Sequence, residues 1–284
     1  MERFAPALFV LIWSTGFITA KAVVPYIEPF TMLSIRFLLA AILVGAIAVI
    51  ARRAWPSTRT LGHAAVVGLL LHGTYLGGVF WAVHEGLPTG VAALIVGLQP
   101  VLAACIVGPF LNERVTPLQW VGFTGGIVGL ALVLSDRLTL DGASLAKALP
   151  AFAALVGVTL GPLYQKRFCG DVEIWPGAVA QYAAASALML VGAAFEERTI
   201  DWSPALLASL GWMVVVLSIG AIGLLMVLIR RGSAARTASL FFLVPPLAAL
   251  EAWIWFDERL GAVAIVGIAI TAVGVALVQR GAPQ

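Results

Sequence analysis

From Phe4 to Arg280 the chain alternates apolar runs of roughly 20 residues with short clusters of charge, proline and glycine. A run of that length crosses about 30 Å of hydrocarbon as a helix rising about 1.5 Å per residue. A barrel strand would need only about 10 residues with strict alternation, and alternation is missing. The punctuation predicts ten spans, near 4–24, 30–50, 62–84, 88–111, 117–135, 146–167, 175–195, 205–230, 235–256 and 260–280. Composition agrees: 61% of residues are hydrophobic, 11% are charged and mean hydropathy is +1.03. A soluble domain holds about half apolar and about a quarter charged residues. The expected fold class is therefore an all-α polytopic membrane protein.

The net charge of +3 does not point to nucleic acid, because the basic residues sit in the loops between spans. Basic loops orient a membrane protein, the lysine- and arginine-rich ones staying in the cytoplasm. With a cytoplasmic N-terminus, the inner side carries Arg3, Arg52, Arg53, Arg59, Arg114, Lys166, Arg167, Arg230, Arg231, Arg236 and Arg280. The outer side then holds Arg137, Lys147, Arg198 and Arg259, with Lys21 near the outer end of the first span. Both termini are predicted to be cytoplasmic. The first apolar run is too long for a signal-peptide core and lacks a cleavage site after it, so it reads as a retained span. Cys105 and Cys169 give neither a disulfide framework nor a metal spacing.

An internal repeat sets the architecture. Leu98-Gln99-Pro100-Val101-Leu102-Ala103-Ala104 aligns with Leu243-Val244-Pro245-Pro246-Leu247-Ala248-Ala249. At the same offset of 145, Glu113-Arg114 meets Glu258-Arg259, Val121-Gly122 meets Val266-Gly267, and Val128-Gly129 meets Val273-Gly274. Gly16 pairs with Gly161 and Lys21 with Lys166. Five spans per half is an odd number, so the second half, 141–284, starts on the opposite side of the membrane from the first, 1–140. Two inverted five-helix repeats around a central cavity are a secondary-transporter arrangement, with substrate bound near the midplane between them. Gly122, Gly125, Gly126 and Gly129 in the fifth span, echoed by Gly267, Thr271 and Gly274 in the tenth, predict close packing of those two helices. That use of the glycines favours a monomer over a homodimer.

The repeated proline-containing span, Glu-Arg loop and glycine-rich final span resemble the EamA family of the drug/metabolite transporter superfamily. Trp13-Ser14 in the first span and Arg36-Phe37 in the second add to the resemblance. It covers both halves and lies nearest the bacterial exporters of amino acids, aromatic ones included. It implies a ten-helix basket in a bacterial inner membrane that exports amino acids or related metabolites and uses no cofactor. It supplies no shared catalytic motif, and an Arg at the position of Arg36 is a common family feature that favours a structural role.

Polar and aromatic residues inside spans are the candidate contacts, because burying them in lipid is costly without a use. Trp13 is an aromatic at mid-span. His72 and Tyr75 share a helix face at i, i+3. Gln99 precedes a helix-breaking proline, where an amide and a freed carbonyl can face a cavity. Glu251 is an acid within the ninth span, suited to an ammonium or a proton. Lys21 and Arg36 are structural or coupling charges, and Arg36, Glu251, His84, Glu85 and Lys21 lie in the outer half, within range to pair. A single His is often only a satisfied hydrogen-bonding residue, and the alternative role of Arg36 and Glu251 is to hold helices together; the remaining tryptophans are mostly interfacial anchors near span ends.

No nucleotide fingerprint, zinc spacing or Gly-x-Ser-x-Gly elbow occurs, so an enzyme is disfavoured and neither metal nor cofactor is expected. The expected partners are a small-molecule substrate and the lipid bilayer. Exchange of sugar phosphates or nucleotide sugars is the alternative within the superfamily, but it would want several mid-membrane cations. A membrane-embedded enzyme or a non-transporting scaffold is the alternative from another class.

Overall fold

The computed structural model describes residues 4–23, 25–135, 145–197, 199–256 and 261–281. Arg137, Arg198, Glu258 and Arg259 lie outside the described residues, as does the side chain of Lys21. The described residues form ten helical passes and no strand. They are α1 (Ala5–Val23), α2 (Pro29–Ile50), α3 (Thr58–His84), α4 (Thr89–Gly97 and Gln99–Leu111), α5 (Pro117–Leu134), α6 (Leu145–Phe168), α7 (Ile174–Ala193), α8 (Pro204–Arg231), α9 (Ala234–Phe256) and α10 (Ala262–Arg280). Eight of them are long and apolar enough to cross a membrane. The other two are α1, whose apolar stretch is Ala5–Gly16, and α9, which a 3₁₀ turn interrupts. Each expected span is present, with boundaries displaced by a few residues.

Helix ends follow local chemistry. Pro29, Pro117 and Pro204 open α2, α5 and α8, where a missing N–H costs nothing and the fixed φ suits a first turn. Ser57, Thr116, Ser203 and Ser233 cap their helices with side-chain oxygens; Thr116 also forms a reciprocal box with Gln119. Asn112 ends α4 in the left-handed region at φ 57°, which asparagine tolerates better than most residues.

Helices equivalent at the 145-residue offset lie against each other. In α2 and α7, Ser186 donates to the Ser34 carbonyl at 3.0 Å, and Phe37 stacks on Tyr182 with centroids 6.0 Å apart. Further along, Glu196 after α7 accepts from the Phe30 and Thr31 backbone at the start of α2, both at 2.7 Å. Contacts advance along one helix as they retreat along the other, so the pair is antiparallel. The same holds for α5 and α10. Methyl groups added at Gly122 and Gly129 would fall 2.5 Å from the Gly274 carbonyl and 2.7 Å from the Gly267 carbonyl. Methyl groups at Gly274 and Gly267 would meet the Gly122 and Gly129 carbonyls in turn. The expected glycine contact between these spans is present, and it is reciprocal.

Loop contacts group the helix ends by face. Asp201 donates its N–H to the Tyr26 carbonyl at 2.9 Å, joining the α1–α2 and α7–α8 connections. On the opposite face, Thr116 donates to the Gly281 carbonyl at 2.7 Å, and Glu113 accepts from the Ala234 N–H at 2.9 Å. Lys166 closes that face by pairing with Glu113 at 2.6 Å and donating to the Gly232 carbonyl at 2.6 Å.

Regular helix fails at matched places in the two halves. α3 carries a π-helical stretch at Leu69–Thr74, and α8 carries one at Met213–Ala221. α4 breaks at Leu98, and α9 passes through a 3₁₀ turn at Leu240–Leu243. Pro100 and the Pro245-Pro246 pair follow the last two breaks directly, where prolines cannot donate to the preceding turn. Such interruptions are sustainable at membrane depth only where protein surrounds them or where they line a cavity.

Candidate functional site

The interrupted helices surround a buried layer of polar and aromatic side chains. Arg36 on α2 is 8% exposed, and its Nε donates to Ser218 Oγ in the π-helical part of α8 at 3.2 Å. Ser218 Oγ donates to the Met213 carbonyl five residues back at 3.0 Å, and its own carbonyl accepts from the Tyr182 hydroxyl. Tyr182 is 0% exposed and stacks on His72 at 4.8 Å. His72 also faces Phe37 at 5.7 Å, and Gln181 lies beside it. His72 Nε2 and Gln181 Oε1 are both buried without a hydrogen-bond partner, whereas the Gln181 amide nitrogen donates to Gln165 at 3.0 Å.

Tyr75 continues the layer toward α1. It is buried and lies near Arg36 and Trp13. Trp13 packs between Phe9 at 5.1 Å and Phe241 at 5.4 Å. One residue on, Ser14 donates to Glu251 Oε1 at 2.6 Å, while Glu251 Oε2 is buried without a partner. Phe241 also lines a cleft with Gln99, Thr159, Lys166 and Thr237, on the side of the Lys166–Glu113 pair. Gln99 is 2% exposed there, and its Oε1 is unsatisfied.

Trp13, His72, Tyr75 and Arg36 thus form one connected group. Glu251 joins it through Ser14, and Gln99 through Phe241. The ion pairs open to the outer-half charges do not form among the described residues. Arg36 pairs with a serine, Glu251 with a serine, and Glu85 accepts from Trp81 Nε1 at 3.3 Å. His72 and Tyr75 do not share an ordinary α-helical face, because the intervening turn is π-helical. Ser218 and Phe241 were not legible as site residues, since a lone serine or phenylalanine in an apolar run carries no signal. Tyr182 was within reach of the offset, because it is the counterpart of Phe37.

Of the tryptophans expected near span ends, Trp81, Trp120, Trp202, Trp212 and Trp253 are exposed, Trp175 is half-buried against the core, and the side chain of Trp255 lies outside the described residues. Trp212 also donates to Thr15 at 2.9 Å, tying α8 to α1. No group of His, Cys, Asp or Glu among the described residues is arranged to hold a metal ion.

The model of the EamA-like transporter family matches the chain twice, over residues 4–135 and 146–280. The inner membrane transporter YedA of Escherichia coli K12, itself uncharacterized, is 30% identical over 281 residues, spanning 97% of this chain and 90% of its own. The "probable amino-acid metabolite efflux pump" of Escherichia coli K12 is 23% identical and covers 94% of this chain and 91% of its own. The "probable terminal-alkyne amino-acid exporter" of Streptantibioticus cattleyicolor is 28% identical over 79% of this chain and 75% of its own. A solved crystal structure superposes with a TM-score of 0.83 at 19% identity, over 96% of this chain and 94% of the other, and it shares the fold.

Proposed function

We propose, because the chain belongs to the EamA-like transporter family, that this membrane transporter exports neutral amino acids, aromatic ones among them, across the inner membrane. The carrying observation is the connected layer of buried Arg36, His72 and Tyr75 with half-buried Trp13, lying where helices of the two halves meet and where regular helix gives way. A zwitterion needs a partner for each charge, and an aromatic side chain needs an apolar, polarizable wall. Glu251 suits the ammonium, His72 or Gln99 suits the carboxylate as donor, and Trp13 with Tyr75 suits the side chain. Some of the relatives are named for amino-acid export, which supports the same substrate class.

Residues 1–140 and 141–284 are, in this proposal, inverted copies whose exchange of conformation alternates access. The antiparallel α2–α7 and α5–α10 pairs, the reciprocal glycine contacts and the matched breaks support it. The glycine surfaces of α5 and α10 are spent on each other, which supports a monomer. The loop charges support cytoplasmic termini.

The test is flux of a substrate panel in proteoliposomes, with and without a pH gradient. Saturable movement of phenylalanine, tryptophan and neutral aliphatic amino acids is expected, with little movement of hexose phosphates. Robust sugar-phosphate exchange without amino-acid flux would overturn the substrate class and leave the fold intact.

A further inference from the structure

Among the described residues Arg36 is a cation without an anion. Its Nε is held by Ser218, and its two terminal nitrogens have no hydrogen bond among the described residues. No described carboxylate lies within ion-pair distance of it. Two neighbouring charged groups do have partners: Lys166 has Glu113, and Glu251 has Ser14. A guanidinium in the middle of a bundle is costly to desolvate, and a lone buried charge is far more costly than a paired one. The fork of an arginine matches a carboxylate with two parallel hydrogen bonds, which a lysine cannot do.

We infer that Arg36 is the anchor for the carboxylate of the transported amino acid, an inference that rests on the export proposal above. The surroundings fit one carboxylate. The face of the Phe37 ring, 5.6 Å from the guanidinium carbon, covers one side of Arg36 and leaves its edge free. Buried beside it, His72 Nε2 has no partner and supplies a further polar contact. Ser218 is a positioning residue: its hydroxyl is fixed by the π-helical turn, Tyr182 holds its carbonyl, and it in turn fixes Arg36 Nε. A single guanidinium in an aromatic lining balances a monoanion. A phosphate ester carrying two charges would want additional cations, and the described layer has none. From Arg36 the connected group runs through Tyr75 and Trp13 to Ser14 and Glu251, which sets opposite charges on either side of an aromatic pair.

The experiment compares phenylalanine with phenylalaninamide, which lacks the carboxylate, as substrates of the purified full-length protein in proteoliposomes. The wild type is expected to prefer the acid by about tenfold or more, the size of roughly one lost charge-assisted contact. Arg36→Gln should collapse that preference while the melting temperature in detergent stays near wild type. Arg36→Lys should restore part of it, and Ser218→Ala should raise KM for phenylalanine more than it lowers kcat. Equal transport of acid and amide by the wild type overturns the anchor, whether or not the variants fold. A preference that survives in folded Arg36→Gln also overturns it. If the wild type moves no amino acid at all, the export proposal fails. The anchor is then decided by thermal shift with 3-phenylpropionate against its amide. Stabilisation specific to the carboxylate, and lost in Arg36→Gln, keeps the anchor for another carboxylate; its absence removes it.

Discussion

At the scale of single residues, the layer sorts charge from shape. Ser14 holds Glu251 through one oxygen and leaves the other free, so Glu251→Gln keeps an acceptor for Ser14 and removes only the charge. We expect that variant to raise KM for phenylalanine about tenfold while leaving recognition of 3-phenylpropionate, which has no ammonium, near wild type. An equal effect on both ligands would assign Glu251 to helix packing. Trp13 fills the space between Phe9 and Phe241, and its truncation removes both wall and packing. Trp13→Ala should therefore lower aromatic flux more than alanine flux, and it should also cost about 3 kcal/mol of stability. The comparison of the two fluxes separates recognition from loss of fold. Cys169, just beyond α6, is a different case. Burial, partly opposed by Arg230, pushes its thiol up to about 11. Only the thiolate is nucleophilic, so about one molecule in a thousand is reactive there at pH 8. Alkylation of Cys169 in the folded protein should stay slow at neutral pH and speed up as pH rises toward that value; fast labelling at pH 7 would contradict the burial.

At the scale of helices, close approach is set by residues that have no side chain. α5 and α10 touch backbone to backbone at Gly122–Gly274 and Gly129–Gly267. Gln119 adds a side-chain bond to the Val278 carbonyl at 3.3 Å. In lipid, where burial from water does not drive association, such packing and hydrogen bonding hold helices together. Gly129→Val should force the pair apart and cost about 1–3 kcal/mol, and Gly274→Val should cost as much because the contact is reciprocal. Melting in detergent checks both, and an unchanged midpoint for either would refute the contact. The other element-scale feature is the π turn. A widened turn frees backbone groups and re-aims side chains, and the two longest deviations sit at His72 and Ser218, both in the polar layer.

At the scale of the whole molecule, the prediction is topological. If the termini are inside, as the loop charges predict, a phosphatase fused after Arg198 should be active in the periplasm and one fused after Arg280 inactive. Cysteines at Asn112 and Glu197, on opposite faces of the bundle, should label from opposite sides with an impermeant reagent. Labelling of both from one side would sink the inverted arrangement along with the orientation.

The apolar runs and their punctuation were enough to establish that the chain is helical and where its ten passes lie. Lipid leaves the backbone no other way to satisfy its hydrogen bonds, and span length is fixed by bilayer thickness. The sequence also marked the break at Gln99-Pro100 and the glycine faces of the fifth and tenth spans, because proline and glycine act through the backbone and need no partner to be recognised. It picked out Trp13, His72, Tyr75 and Glu251 as polar or aromatic exceptions within apolar runs. Which of these meet depends on how the helices pack. Ser218 gains its importance from the π turn that presents it to Arg36, and Phe241 from the position of Trp13 on another helix. The partners of a buried charge lie on helices far away in sequence, and a pattern along one helix cannot show that Arg36 faces a serine and a ring rather than the carboxylate that span depth alone allowed.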